Sequence, residues 1–353
     1  MKRILIAITA AAAVCIPAAD ACTSMIVAAR ASATGRPLLW KHRDSSGDMN
    51  FVERTLPTDS TYGFCALYNG GDSLLLDAWI GVNDAGFAIM NTASYNLAPD
   101  TATVRDMEGR VMAIALKRCS SVEQFDSLLR SLPRPMGVQA NFGAIDSDGG
   151  AAYFETDDNS FVRYDVDDTP EGVLVRTNFS VSGAEGEGMG YIRYANAQHL
   201  AGAAIRAARV SPQLLTDTLS RSFYHSLLDR DCAADTALRW IVDQDFIPRH
   251  SSVASVVIEG AVSGAGNGPV MWTIAGYPPV GHVVAARPDS VPDVLRPLQP
   301  GFTCAEAVEN AARMRRAFPI DRGSGQRYID MQALRPIMDE QRAISLSNYN
   351  SKP

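Results

Sequence analysis

The sequence predicts an α+β fold in which two mainly antiparallel sheets carry helices on their outsides. Strand blocks alternate with helix blocks, and short Gly/Asn/Asp turns join the strands as hairpins rather than as βαβ crossovers. Residues 23–29 alternate and are β-branched enough for a strand, Gly35-Arg36-Pro37 marks a turn, and residues 38–43 form a second strand. Further strands are expected at 63–68, 74–80 and 87–91, with turns at Asn69-Gly70-Gly71 and Asn83-Asp84-Ala85-Gly86. Residues 108–119 place Val111, Ile114, Ala115 and Leu116 at helical spacing. Ser121 reads as an N-cap with Gln124 three residues on, opening a helix through Phe125, Leu128 and Leu129 to Leu132, where Pro133 follows. Strands return at 141–145, 151–155, 161–166 and 173–178. An alanine-rich helix covers 191–210, and a shorter one follows Ser211-Pro212. Strands at 252–259, 270–275 and 282–285 precede a helical end from about 303, broken at Arg322-Gly323-Ser324-Gly325. There is no internal repeat, low-complexity segment or clear linker, so residues 22–353 read as one domain.

The chain has 353 residues, 46% of them apolar and 20% charged, enough for a sizeable core. Its net charge of −7 and the lack of a basic stripe argue against a nucleic-acid partner. Residues 1–21 read as a secretion signal, with basic Lys2-Arg3, an apolar stretch over 4–17, and the small-x-small site Ala19-Asp20-Ala21. That stretch is too short to span a bilayer, which needs about 20 apolar residues, and no later run is long enough. The mature protein is expected to be soluble and exported, periplasmic or extracellular. Cys15 leaves with the signal. If Cys22 stays free, Cys65, Cys119, Cys232 and Cys304 either form two disulfides or remain four buried thiols, and their spacing suits no zinc site.

Cleavage after Ala21 makes Cys22 the first residue, with its thiol beside its own α-amino group. A nucleophile beside a base is a complete catalytic unit, and an amine with a pKa of about 7.7–8.0 accepts a thiol proton near neutral pH. No histidine is then required, which suits a chain whose five histidines form no triad motif. Cys22 could instead be half of a disulfide, or the lipidated cysteine of an anchored binding protein. Against lipidation, position −3 is Ala19 and a strand follows at once, without a tether. The hairpin over 23–43 returns Asp44 beside Cys22, where a carboxylate would orient the ammonium and stabilise its charge. Asp44-Ser45-Ser46-Gly47 is also good turn chemistry.

Cys22-Thr23-Ser24, a strand, a Gly turn and the second strand LLWKHRD together resemble the start of the N-terminal-nucleophile hydrolases of the choloylglycine hydrolase group. That group includes penicillin V acylases, acid-ceramidase-like enzymes, isopenicillin-N acyltransferases and related cysteine dipeptidases. Its mature chains begin Cys-Thr and soon reach Arg-Asn-x-Asp. Asp44 matches the aspartate directly. Lys41-His42 stands where the pattern has Arg-Asn, so Lys41 matches only as a cation, without the planar fork of arginine. Arg43 competes for that role, because alternation puts Lys41 and Arg43 on the same face of the strand. GVNDAGFAIMNT is similar to the segment whose asparagine is associated with the oxyanion hole, here Asn91. VLVRTNFS is similar to the Thr-Asn segment that supplies the second oxyanion-hole group, here Asn178. GYIRYANAQHL resembles the helix start bearing the group's active-site arginine, here Arg193. SSVASVVIEG and MWTIAGYPP are similar to the closing strands of the acyltransferase branch, so the resemblance covers most of residues 22–279 and not the helical end.

The resemblance implies a four-layer αββα sandwich and an amidohydrolase cleaving a linear amide through a thioester on Cys22. It implies no metal or organic cofactor. The expected partner is a small N-acyl amide or short peptide, and a homo-oligomer is compatible with the composition. An acyltransferase or dipeptidase would use the same parts. Without the resemblance, Asn91 and Asn178 read as turn caps and Arg193 as a helix-face cation.

Overall fold

The computed structural model describes residues 21–47, 49–99, 101–321 and 327–351. The expected signal and the break at 322–325 lie outside them. In chain order the first strands are β1 (Cys22–Val27), β2 (Leu38–Asp44), β3 (Asn50–Thr55), β4 (Phe64–Asn69), β5 (Ile80–Asn83) and β6 (Ala88–Ala93). Helices α1 (Glu108–Arg118) and α2 (Val122–Ser131) lead to β7 (Ala140–Ile145), β8 (Ala151–Thr156), β9 (Phe161–Asp165) and β10 (Val173–Arg176). Helix α3 (Tyr191–Arg206) and a π-helical turn, Leu214–Leu219, come next. The short β11 (Tyr224–His225), β12 (Arg230–Asp231) and β13 (Trp240–Val242) precede β14 (Ser252–Glu259), β15 (Val270–Ala275) and β16 (Val284–Ala286). Helix α4 (Ala305–Ala317), β17 (Ile320–Asp321), β18 (Arg327–Asp330) and α5 (Met331–Asn350) close the chain.

Two large antiparallel sheets dominate. One runs β10-β1-β2-β14-β15-β16, and the other is a meander from β3 to β9 in sequence order. Alternation along each strand divides its side chains between two cores. Ile26, Leu39, Val256 and Ile258 share a core with Phe51, Leu67, Met90 and Phe142 of the meander. Their strand neighbours Met25, Val27, Leu38, Trp40 and Val257 lie in a second core with Ala197 and Ala201 of α3. Met112, Leu116, Phe125 and Leu129 bring α1 and α2 onto the meander. The result is a four-layer αββα sandwich, as expected. Gly143 on β7 lets the sheets approach, since a Cβ there would lie 2.4 Å from Met90 Cε and 3.1 Å from Ile26 Cδ1.

The Ser121 cap forms as expected, its hydroxyl accepting from Gln124 N at 3.2 Å. Gln124 reaches back one residue further than a capping box requires, to Ser120 N at 2.7 Å. The expected strand over 74–80 is corrected: only its last residue is in β5, and the leucines before it lie in irregular backbone, with Leu74 exposed and Leu75 packed partly against the core. Asp72 stops extension there by accepting from Leu76 N and Asp77 N, both at 2.8 Å, a side-chain alternative to sheet pairing. The strand β3 was not expected, because Phe51 and Val52 are adjacent and charged residues follow, which gives no alternation. Cys22, Cys65, Cys119, Cys232 and Cys304 are all free and buried, so of the two cysteine readings the buried thiols hold.

Candidate active site

The hairpin of β1 and β2 sets the geometry. Cys22 pairs with Arg43, Ser24 with Lys41 and Ile26 with Leu39. Asp44 N donates to Ala21 O at 2.8 Å, so the Ala21–Cys22 peptide lies within the pairing. Ile26 and Leu39 face the inter-sheet core, and alternation therefore puts the side chains of Cys22, Lys41 and Arg43 on that face. Thr23, His42 and Asp44 belong to the opposite face, with Trp40. The main-chain nitrogen of Cys22 lies in the plane of the sheet between the two. Cys22 is 5% exposed.

Three of the expected residues meet at that nitrogen. Cys22 N donates to Asn178 Oδ1 at 3.0 Å. Arg193 Nη2 donates to the same oxygen at 2.7 Å, while its Nη1 donates to Cys22 O at 2.6 Å and Thr23 Oγ1 at 3.1 Å. Asn178 Nδ2 donates to Ala93 O at 2.9 Å, which ties the site to the end of β6. Arg193 sits in the first turn of α3, and the residue before the helix, Gly190, has φ +90. A Cβ on Gly190 would stand 2.5 Å from Arg193 Nη2, so only glycine there leaves the guanidinium its place. Burial, reinforced by the charge of Arg249, pulls the Arg193 guanidinium down to about 10, which leaves it cationic at neutral pH.

Lys41 and Asn91 form the inner wall. Lys41 Nζ donates to Asn91 Oδ1 at 2.6 Å and to Trp79 O at 3.0 Å, and it lies 5.6 Å from the Trp79 ring centroid. Arg43 stacks over the same ring at 4.9 Å and donates from Nη1 to Asn50 Oδ1 at 3.0 Å. Both cations thus share the face expected of them. Lys41 is the one bonded to Asn91, and Arg43 the one directly opposite Cys22.

Asp44 is held by Arg249, which lies outside the segments of the resemblance, and by Ser252, which the sequence does not mark as a site residue. Arg249 Nη2 donates to its Oδ2 and Ser252 Oγ to its Oδ1. His42 Nε2 lies 2.9 Å from the same Ser252 oxygen. Burial works against the Asp44 charge, but Arg249, His42 and Arg193 together with the Ser252 bond outweigh it and hold the carboxyl below its ordinary value. Burial pushes His42 down to about 4, so it is neutral at pH 7. Ser252 lies in the segment SSVASVVIEG and is paired with Asp44 through β14 and β2. Arg249 precedes that strand by three residues and gave no sequence signal.

A scan against protein-family models and a search of curated proteins find no match to this chain. Among the described residues no helix is long and apolar enough to cross a membrane. Solved structures with a similar fold include a Caenorhabditis elegans N-acylethanolamine-hydrolyzing acid amidase ortholog, at TM-score 0.45 and 11% identity over 69% of this chain and 94% of that one. A mutant conjugated bile acid hydrolase from Clostridium perfringens gives TM-score 0.44 and 13% identity over 75% and 92%. Penicillin V acylase from Agrobacterium tumefaciens gives 0.41 and 11% over 75% and 86%. At such scores the likeness is one of overall architecture alone.

Proposed function

We propose that residues 1–21 are removed on export and that Cys22 then serves as the N-terminal nucleophile of a hydrolase acting on a linear amide of a small N-acyl compound. The observation that carries this is the grip on Cys22, whose nitrogen is bound by Asn178 Oδ1 and whose carbonyl oxygen is bound by Arg193. Once freed, that nitrogen is an amine that donates one hydrogen to Asn178 and keeps a lone pair for the thiol proton. The Arg193 charge disfavours protonation of the amine, and the Asp44 charge favours the ammonium once the proton has moved. The thiolate attacks the amide carbonyl and forms a C–S bond. The C–O π pair becomes an oxyanion and then re-forms the carbonyl as the C–N bond breaks. The leaving nitrogen takes the proton from the ammonium. Water, deprotonated by the same amine, resolves the thioester.

An amide side chain has two N–H donors. The Nδ2 of Asn178 gives one to Ala93 O, and the other is assigned to the oxyanion. Lys41 holds Asn91 by its Oδ1, which turns the donor end of that amide away from the lysine. Two such donors are what the tetrahedral intermediate requires, and losing one costs about 3 kcal/mol of barrier stabilisation.

The test combines the intact mass and N-terminal sequence of the exported protein with thiol labelling and a screen of N-acyl amides, Cys22→Ala serving as control. A chain starting at a free, reactive Cys22, with turnover lost in Cys22→Ala, supports the hydrolase. A lipid-sized mass increment on Cys22 removes the base and leaves the anchored binding protein as the reading, whereas another start site removes the base and requires a nucleophile other than an N-terminal Cys22.

A further inference from the structure

The carboxylate of Asp44 takes its cation from outside the motif that contains it. Lys41 stands where the family pattern has arginine, yet it is bonded to Asn91 Oδ1 and Trp79 O on the other face of β2. Arg249 fills the place on Asp44's own face, from 205 residues further along the chain. The segment entering β14 is shaped for this. Ser252 N donates to Arg249 O at 2.8 Å and Arg249 N to Ser252 Oγ at 2.9 Å, closing a turn that presents the guanidinium and the hydroxyl together. A register irregularity between Ser252 and Ala254 lies at the point where β14 meets Asp44. Each carboxylate oxygen therefore has its own donor, Oδ2 from Arg249 and Oδ1 from Ser252.

The hydroxyl of Ser252 is fully used. It has one hydrogen, which goes to Asp44, and two lone pairs, which face Arg249 N and His42 Nε2. With its lone pair facing it, His42 must carry its proton on Nε2, in keeping with a neutral ring. Other charged or titratable groups facing Asp44 are Arg193 from α3, Asp243 from the loop before β14, and Tyr277 after β15. Around Cys22 itself stand Arg193 on one side and Arg43 across the strand pair.

We propose that Arg249 and Ser252 are positioning residues of this site: they fix the Asp44 carboxylate and so set the charge balance around the nitrogen and sulfur of Cys22. This rests on the N-terminal-nucleophile reading above. Arg249 offsets the negative field of Asp44. Without it that field favours the ammonium and opposes the thiolate, and the pH at which Cys22 becomes reactive moves upward.

The experiment measures the rate of Cys22 alkylation by iodoacetamide against pH, in the processed wild-type protein, Arg249→Gln and Arg249→Lys. Intact mass and far-ultraviolet circular dichroism confirm processing and folding in each. The midpoint of the Arg249→Gln profile is expected about one pH unit above wild type, and Arg249→Lys, which keeps the charge without the fork, is expected to recover at least half of that shift. A folded, processed Arg249→Gln with the wild-type midpoint overturns the positioning role and leaves the nucleophile reading standing. A wild-type protein that does not begin at Cys22 overturns both. If Arg249→Gln does not fold, Ser252→Ala decides, since it removes the donor to Asp44 Oδ1, and a folded, processed Ser252→Ala with the wild-type midpoint overturns the proposal.

Discussion

Replacing His42 by asparagine, a neutral side chain of smaller size, should flatten the pH dependence of stability between neutral and acid. His42 is fully buried, and burial is the main cause of its fall to about 4 from 6.5; the Arg249 and Arg193 charges reinforce the fall, and Asp44 opposes it. A group whose folded value is depressed contributes its stability above the unfolded value and loses it as pH falls toward the folded one. The window is therefore from about pH 6.5 down to about pH 4. At 1.36 kcal/mol per pH unit the loss across it is about 3 kcal/mol. Denaturant unfolding of both proteins at intervals from pH 7.5 to 4 reads this directly. Taking the difference between wild type and His42→Asn removes the background from carboxylates that protonate in both. The two curves should converge by about 3 kcal/mol as pH falls. Parallel curves would show that His42 does not enter the fold as a buried neutral ring, and the assigned Nε2 proton would fall with it.

Further outcomes follow from single contacts. Asn178→Ala removes the donor proposed for the oxyanion and should lower kcat by about 10² to 10³ on any substrate the screen finds, with a smaller change in KM. Glu155→Gln should destabilise by about 3 kcal/mol in thermal or denaturant unfolding, because it leaves the buried Arg176, now 2.6 Å from the Glu155 carboxylate, without a countercharge. Gly190→Ala puts a Cβ at φ +90 and into Arg193 Nη2, and should cost about 1–2 kcal/mol in unfolding. Its alkylation rate at Cys22 should fall as well, whereas a change in stability with unaltered Cys22 reactivity would separate Gly190 from the site.

Much of the candidate site was legible because it sits on short-range features. The hairpin between β1 and β2 follows from alternation and a glycine turn, and it brings Asp44 N to Ala21 O. Asn178, Arg193 and Asn91 were reached through resemblance, since an asparagine at a strand end or an arginine in a helix carries no signal of its own. Arg249 was not reached. Its role depends on β14 pairing with β2, a contact between distant segments that no local pattern encodes. The turn before β5 departs from the expected strand for a related reason. Three leucines suggest a strand, but the nearby Asp72 carboxylate satisfies the main chain first.

By itself the sequence determined the class of fold, the hairpin that opens it, and the position of Cys22 behind a cleavage pattern. These depend on the period of apolar residues, on turn chemistry and on composition, all of which act over a few residues. Tertiary structure decided which cation serves which group. Lys41 and Arg43 were equivalent by alternation, and only the packing of Trp79, Asn91 and Asn50 against them separated the two. It also gave Asp44 an arginine that lies far along the chain. A buried charge must find its partner among whatever the folded layers bring near, and that choice is made across sheets rather than along a strand.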